Sequence, residues 1–143
     1  MDKFTRKQRS LLMAKVRTKN TDIERLLGGI VKSFWKIERY RKNVQNLPGK
    51  PDLLFPKSGI IIFADGDFWH GRNFSQWKNE IPVFWKKKVG SNIVRDLRQN
   101  KELRKRGYRV LRFWGSFIKG HPDRVKLKIS RYLAQKVVHR QDH

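Results

Sequence analysis

Five acids and one histidine of this 143-residue sequence sit where they can do proton or metal chemistry: Glu24, Asp52, Asp65, Asp67, His70 and Asp96. Asp52 stands at the entry to one apolar run, Leu53 to Phe55, and Asp65 follows a second, Ile60 to Phe63. A carboxylate at one strand edge can meet the end of the next strand. A hard cation there would find a carboxylate, a backbone carbonyl and water, a ligand set that suits magnesium. An imidazole whose other nitrogen meets an aspartate is held in one tautomer and kept basic; His70 with Asp96 can form such a pair. Phosphodiester hydrolysis needs these parts: a metal to offset charge on the phosphorane-like transition state, a base or metal to activate water, and a group or metal to stabilise the leaving oxygen. Plainer readings stand beside these. Glu24 follows Thr21 at the capping-box interval, and a single histidine in a basic chain is often a surface or phosphate contact.

Composition narrows the partner. Lys and Arg number 35 against 12 acids, a formal charge of +23 and a pI near 11.1. Such an excess implies a polyanion, most often nucleic acid, with an anionic membrane surface as the other option. No apolar run approaches the ~20 residues of a spanning helix, and no signal-peptide pattern is present. The expectation is therefore an intracellular protein, cytoplasmic and nucleoid-associated, with no membrane partner. With 38% hydrophobic residues the chain can bury a core, and the absence of cysteine excludes disulfides and thiolate metal sites. A basic scaffold protein, such as a ribosomal one, is the bland alternative.

The elements that must position these groups can be read in order. Residues 1–18 form a basic segment, with Leu11, Leu12, Met13 and Val16, that can lie as a short helix on the partner. Ile23, Leu26, Leu27, Ile30, Val31 and Phe34 recur at helical spacing and predict a helix over Asp22 to Trp35; Gly28 and Gly29 weaken it or mark close packing. Ile37 to Val44 reads as a first strand. Leu47 to Gly71, LPGKPDLLFPKSGIIIFADGDFWHG, reads as a hairpin of two buried strands ending in a polar–aromatic knot. Asn73 to Val83 lacks periodicity and reads as a loop. Phe84 to Arg106 is a second helix, opened near Pro82 and ended by Gly107. Its stripe carries Trp85, Val89 and Ile93, with Asn92 and Asp96 on or beside it; the other faces carry an almost one-signed run including Lys88 and Arg95, which repels itself unless phosphates offset it. Tyr108 to Trp114 alternates as a strand and returns to the sheet by a βαβ-like crossover. Pro122 opens a last helix towards Val137, and residues 138–143 read as a frayed tail. No repeat or linker divides residues 1–143, which read as one domain. Phe68 and Trp69, adjacent at a loop apex, either stack on bases or wedge between them, or belong to the core.

The stretches LPGKPDLLF, IIIFADGDFWHG and FWKKKVGSNIVRDLRQNKELRKRGYRVLRFW, with MAKVRTKNTDIERLL ahead of them, resemble the very-short-patch repair (Vsr) mismatch endonucleases. The likeness runs over about residues 5–120 in order and spacing. It implies an α/β fold of the restriction-endonuclease type, a mixed β-sheet flanked by helices. It also implies a monomer acting on double-stranded DNA with magnesium, nicking 5′ to the thymine of a T:G mismatch to leave a 5′-phosphate. By position, Asp52 would be the principal magnesium ligand, Ala64 would contribute its backbone carbonyl, and Glu24 would bind a metal-coordinated water. His70 would be the general base or position the attacking water, with Asp96 as its partner. Phe68 and Trp69 would insert beside the mismatch, Met13 would wedge from the amino-terminal helix, and Lys88 and Asn92 would lie near the mismatched pair.

The chain departs from the pattern in two places. The family's structural zinc site uses cysteines and a histidine, whereas Asp67, Gly71 and Ser116 or its neighbour stand at such positions here. No zinc is expected, and the loop must be held by packing or by salt bridges among Asp67, Arg72 and nearby groups. The family tends to have histidine where Asp65 sits; an acid there either adds a metal ligand or alters the water relay. Glu24, Asp52, His70 and Asp96 fit the Glu–Asp–His–Asp set of related homing endonucleases equally well, so a site-specific nuclease needing no mismatch is an alternative. A non-catalytic nucleic-acid-binding protein is another.

Overall fold

The computed structural model describes residues 21–135; the segment 1–18 with Met13, Val137 and the tail 138–143 lie outside the described residues. Helix α1 spans 21–31. Ile23, Leu27, Val31 and Phe34 are all buried, the single stripe that helical spacing demands. The helix tightens into a 3₁₀ turn at Lys32–Lys36, where the N–H groups of Ile37 and Glu38 both donate to the Phe34 carbonyl at 2.9 Å.

The next segment corrects one expectation. Only Arg41–Lys42 forms a strand (β1), not the whole of Ile37 to Val44. Ile37 and Glu38 are used in closing the 3₁₀ turn, and Asn43, with φ 51°, breaks the strand on its other side. Strands β2, Leu53–Phe55, and β3, Ile60–Asp65, form the expected hairpin. Gly59 closes it at φ 66°, a left-handed conformation that favours glycine.

Residues 73–83 give a second correction. They hold a short helix α2, Phe74–Trp77, and a 3₁₀ turn, Lys78–Glu80. Phe74 and Trp77, three positions apart, meet each other, and Trp77 stacks on Phe68 at 5.6 Å. Tertiary aromatic packing thus forms a turn that periodicity does not announce. Helix α3, Val83–Lys105, follows Pro82. It ends in a Schellman motif: Gly107, at φ 95°, donates to the Arg104 carbonyl, and Tyr108 N–H reaches Leu103. The chain then enters β4, Arg109–Trp114. A short helix α4, Gly115–Gly120, which the periodicity does not reveal, precedes α5, Pro122–Ala134.

The strands form one sheet in the order β1-β2-β3-β4, antiparallel except for the parallel pair β3–β4. The parallel pair is joined through α3, the expected crossover. Alternation along the strands divides the core. Leu53, Phe55, Ile60, Ile62, Leu111 and Phe113 pack with residues of α1, α4 and α5, while Leu54, Ile61 and Phe63 pack with Leu103 of α3. The fold is α/β, a mixed sheet flanked by helices, consistent with the restriction-endonuclease type. Among the described residues no helix is long and apolar enough to cross a membrane.

Candidate active site

The hairpin register places Asp52 directly before β2 and beside the end of β3. Its N–H donates to the Ile62 carbonyl at 3.1 Å, and its Oδ2 accepts from the Ala64 N–H at 2.7 Å. Glu24, projecting from α1, reaches the same carboxylate across the sheet edge. Burial pushes the Asp52 carboxyl up to about 6; the Ala64 N–H opposes this, and the charges of Glu24 and Asp65 reinforce it. A cleft of about 930 Å³ between α1 and β1 opens onto Glu24 and Asp52.

His70 comes from the turn after β3, where its N–H donates to the Gly66 carbonyl. Its Nδ1 lies 2.5 Å from Asp96 Oδ2 on α3 and 3.7 Å from Asp65 Oδ1. Asp96 is buried. Burial alone would raise its carboxyl, but the hydrogen bond and charge of His70, with Arg112 and Arg95, hold it below the usual range. Gly71 next to the histidine is held at φ 71°, and a side chain there would collide with Ile93. The position that departs from the family's zinc pattern is therefore tightly packed against α3.

Asp65 is tied to a residue that sequence reasoning passes over. Arg112 Nη1 donates to both Asp65 oxygens at 3.0 and 3.2 Å. Arg112 Nε donates to Asn100 at 2.7 Å, and its guanidinium lies 3.9 Å from the Phe63 ring centroid. Burial raises the Asp65 carboxyl, and His70 and Arg112 pull against that. The available signal was a basic residue at an inward register of β4, but only the fold shows which acid it meets.

Phe68 and Trp69 are half-buried, between the two readings offered by sequence. They join Trp77 and Trp85 in one aromatic cluster, with Trp69 to Trp85 at 5.4 Å. Lys88 Nζ lies 5.5 Å from the Trp69 ring centroid, and Asn92 Nδ2 donates to the Trp69 carbonyl at 3.1 Å. Lys88 and Asn92 are thus brought to the aromatic knot. Arg95, largely exposed, lies 3.7 Å from Asp96.

The loop is clasped by polar bonds. Asp67 accepts from Ser116 N–H at 3.0 Å and Ser116 Oγ at 2.6 Å, and Arg72 pairs with both side chains. Of the expected packing or salt bridges, one ion pair, Asp67–Arg72, is present, and Ser116 joins it by hydrogen bonds. Asp67→Ala removes an acceptor used by two donors of one turn, and a thermal melt should show a loss of about 1–3 kcal/mol. An unchanged melt would mean that the clasp does not hold the loop.

The chain matches the profile of the family described as "DNA mismatch endonuclease Vsr" over residues 1–76. A Type II nicking enzyme, V.HpaIIP of Haemophilus parainfluenzae, is 37% identical over 143 residues, covering 96% of this chain and 99% of the relative. V.NmeDIP of Neisseria meningitidis serogroup C, also a Type II nicking enzyme, is 40% identical over 120 residues, covering 81% and 79%. The DNA mismatch endonuclease Vsr of Escherichia coli K12 is 32% identical over 123 residues, covering 83% and 74%.

Proposed function

The chain belongs to the DNA mismatch endonuclease Vsr family and is a DNA endonuclease, and on that premise we propose that it nicks one strand of double-stranded DNA at T:G mismatches in a magnesium-dependent reaction. In this reading the nick falls 5′ to the thymine and leaves a 5′-phosphate. The protein acts as a monomer, with residues 1–143 as one endonuclease domain. The observation that carries the reading is the convergence at one end of the sheet: Glu24 meets Asp52 beside Ala64, and the His70–Asp96 pair stands on the turn that follows the same strand.

The donor chemistry suits magnesium. Asp52 and Glu24 face one another at one site, and every proposed donor is an oxygen. Among the described residues no three His, Asp or Glu side chains form a ready cluster, which accords with an ion that keeps several waters and takes one or two carboxylates. Asp52 and the Ala64 carbonyl would hold it directly, and Glu24 through water. When bound, the ion offsets charge on the transferring phosphate. Zinc has no role in this reading, because the Asp67–Ser116–Arg72 clasp holds the loop.

The remaining steps belong to the chain. With Nδ1 donating to Asp96, His70 Nε2 accepts the proton of the attacking water. Asp96 holds the ring in that tautomer. Asp65, paired with Arg112, stands 3.7 Å from the same Nδ1 and backs Asp96 on that side of the ring. Trp69 and Phe68 enter the duplex beside the mismatch, and Lys88 and Asn92 hold Trp69. A T:G pair is easily unstacked, which lowers the cost of the wedge. Met13 would add a second wedge from the amino-terminal segment, and Arg95 would meet phosphate. Trp69→Ala should therefore cut the preference for mismatched over paired duplex by roughly 10-fold, within the stacking range of about 1–3 kcal/mol per base. Equal loss on both duplexes would make Trp69 a packing residue only.

A second reading is cleavage at particular sites without need of a mismatch; two relatives carry the name Type II nicking enzyme, which itself specifies no mismatch.

A further inference from the structure

Packing among the described residues does not explain Gly28 and Gly29. Glycine in a helix interior is destabilising relative to alanine. Yet among the described residues a Cβ at Gly28 would meet only Lys42 Nζ, at 3.6 Å, and one at Gly29 would meet nothing within 4 Å. Both glycines line the cleft of about 930 Å³ that opens onto Asp52 and Glu24. Its walls carry Arg25, Lys32, Lys36 and Lys42, and Trp35 stands exposed beside them. Among the described residues the acids of the ion pairs partner Arg72, Arg95, Arg106, Arg112 and His70, and none partners those four cations. Four cations without an ion pair among the described residues, outnumbering the Glu24 and Asp52 carboxylates of the same cleft, repel one another unless a further anion lies between them.

We propose that this cleft is a binding track for the DNA sugar–phosphate backbone flanking the scissile phosphate, with Gly28 and Gly29 forming a floor that the strand approaches closely and Lys32, Lys36 and Lys42 contacting its phosphates. The inference rests on the endonuclease reading and extends it to a surface away from the aromatic knot. Charge selects the occupant. The cleft is basic, so it takes a polyanion, and it begins at the carboxylates assigned to the cleavage centre. The chain's own residues 1–20 are themselves basic and complement it poorly. The track grips DNA on one side of the nick while the aromatic knot grips it on the other.

The test is the salt dependence of duplex binding by the full chain, with cleavage measured alongside. Each phosphate contact contributes about 0.9 to the slope of log K against log salt. Lys32→Ala/Lys36→Ala/Lys42→Ala should lower that slope by roughly 2–3. Removing equal charge outside the cleft, with Lys119→Ala/Lys126→Ala/Lys128→Ala, should leave it near the wild-type value. Gly29→Leu should raise the melting temperature or leave it unchanged while weakening binding at least about 10-fold, because the side chain fills the track without touching the core. A wild-type slope in the cleft variant, or an equal fall in both triple variants, overturns the track while wild-type cleavage keeps the endonuclease reading. Wild-type protein that neither binds nor cuts duplex DNA overturns both.

Discussion

Asp52→Asn should lower cleavage in magnesium by at least about 10³-fold while making the metal-free protein more stable. The first effect follows from removing the one side chain placed to ligate the ion directly, which supplies several kcal/mol of transition-state stabilisation. The second follows from the environment of the carboxylate. It is buried, faces Glu24 and Asp65, and has a pKa near 6, whereas an unfolded aspartate titrates near 3.9. Between these values the native state holds a proton that the unfolded chain has lost, so stability falls as pH rises through the window and the full cost is present above it. The asparagine carries no charge and can still accept from the Ala64 N–H. Its advantage should be absent below about pH 4, grow up to about pH 6 and then level off at about 1–3 kcal/mol. Thermal melts without metal at pH 4, 6 and 8 check this. A variant less stable than wild type at pH 8 would mean that the carboxylate is compensated in the metal-free protein.

His70→Ala should slow cleavage by roughly 10²–10⁴ with little change in duplex affinity. The geometry is specific: Nδ1 is engaged by Asp96 at 2.5 Å, leaving Nε2 for the water. Asp96→Asn should also be slow, because an amide can present a donor to Nδ1 and favour the other tautomer. If the two residues act as one unit, the double variant should be little worse than His70→Ala alone. Fully multiplicative losses would separate their roles, and a negligible loss from His70→Ala would move proton transfer to another group.

Much of this arrangement was legible from local pattern. The apolar runs around the Pro56–Gly59 turn mark the β2–β3 hairpin, and the stripe of Trp85, Val89 and Ile93 with Gly107 marks α3 and its stop. The pairing of His70 with Asp96, suggested as a tautomer-holding dyad, is present in the fold. Other features depend on distant partners. Arg41–Lys42 is all that remains of the first strand, because Asn43 turns left-handed and Ile37 is drawn into the preceding turn. Phe74 and Trp77 form a helical turn only because Phe68 is there to pack against. Sequence leaves Asp65 as an added metal ligand or a change to the water relay; Arg112, far along the chain, makes it half of an ion pair. The site roles of Glu24 and Ala64 came from family resemblance, since one is a side chain with an ordinary capping use and the other a carbonyl that no side-chain pattern marks.

The most direct test is strand-resolved cleavage in magnesium of a duplex with a single T:G mismatch and of its fully paired twin, with Asp52→Asn as control. The account predicts one nick, 5′ to the mismatched thymine, in the first duplex only, and none with the variant. Cutting of both duplexes would contradict the mismatch requirement and favour nicking at a defined sequence. Undiminished cutting by Asp52→Asn would contradict the proposed centre itself.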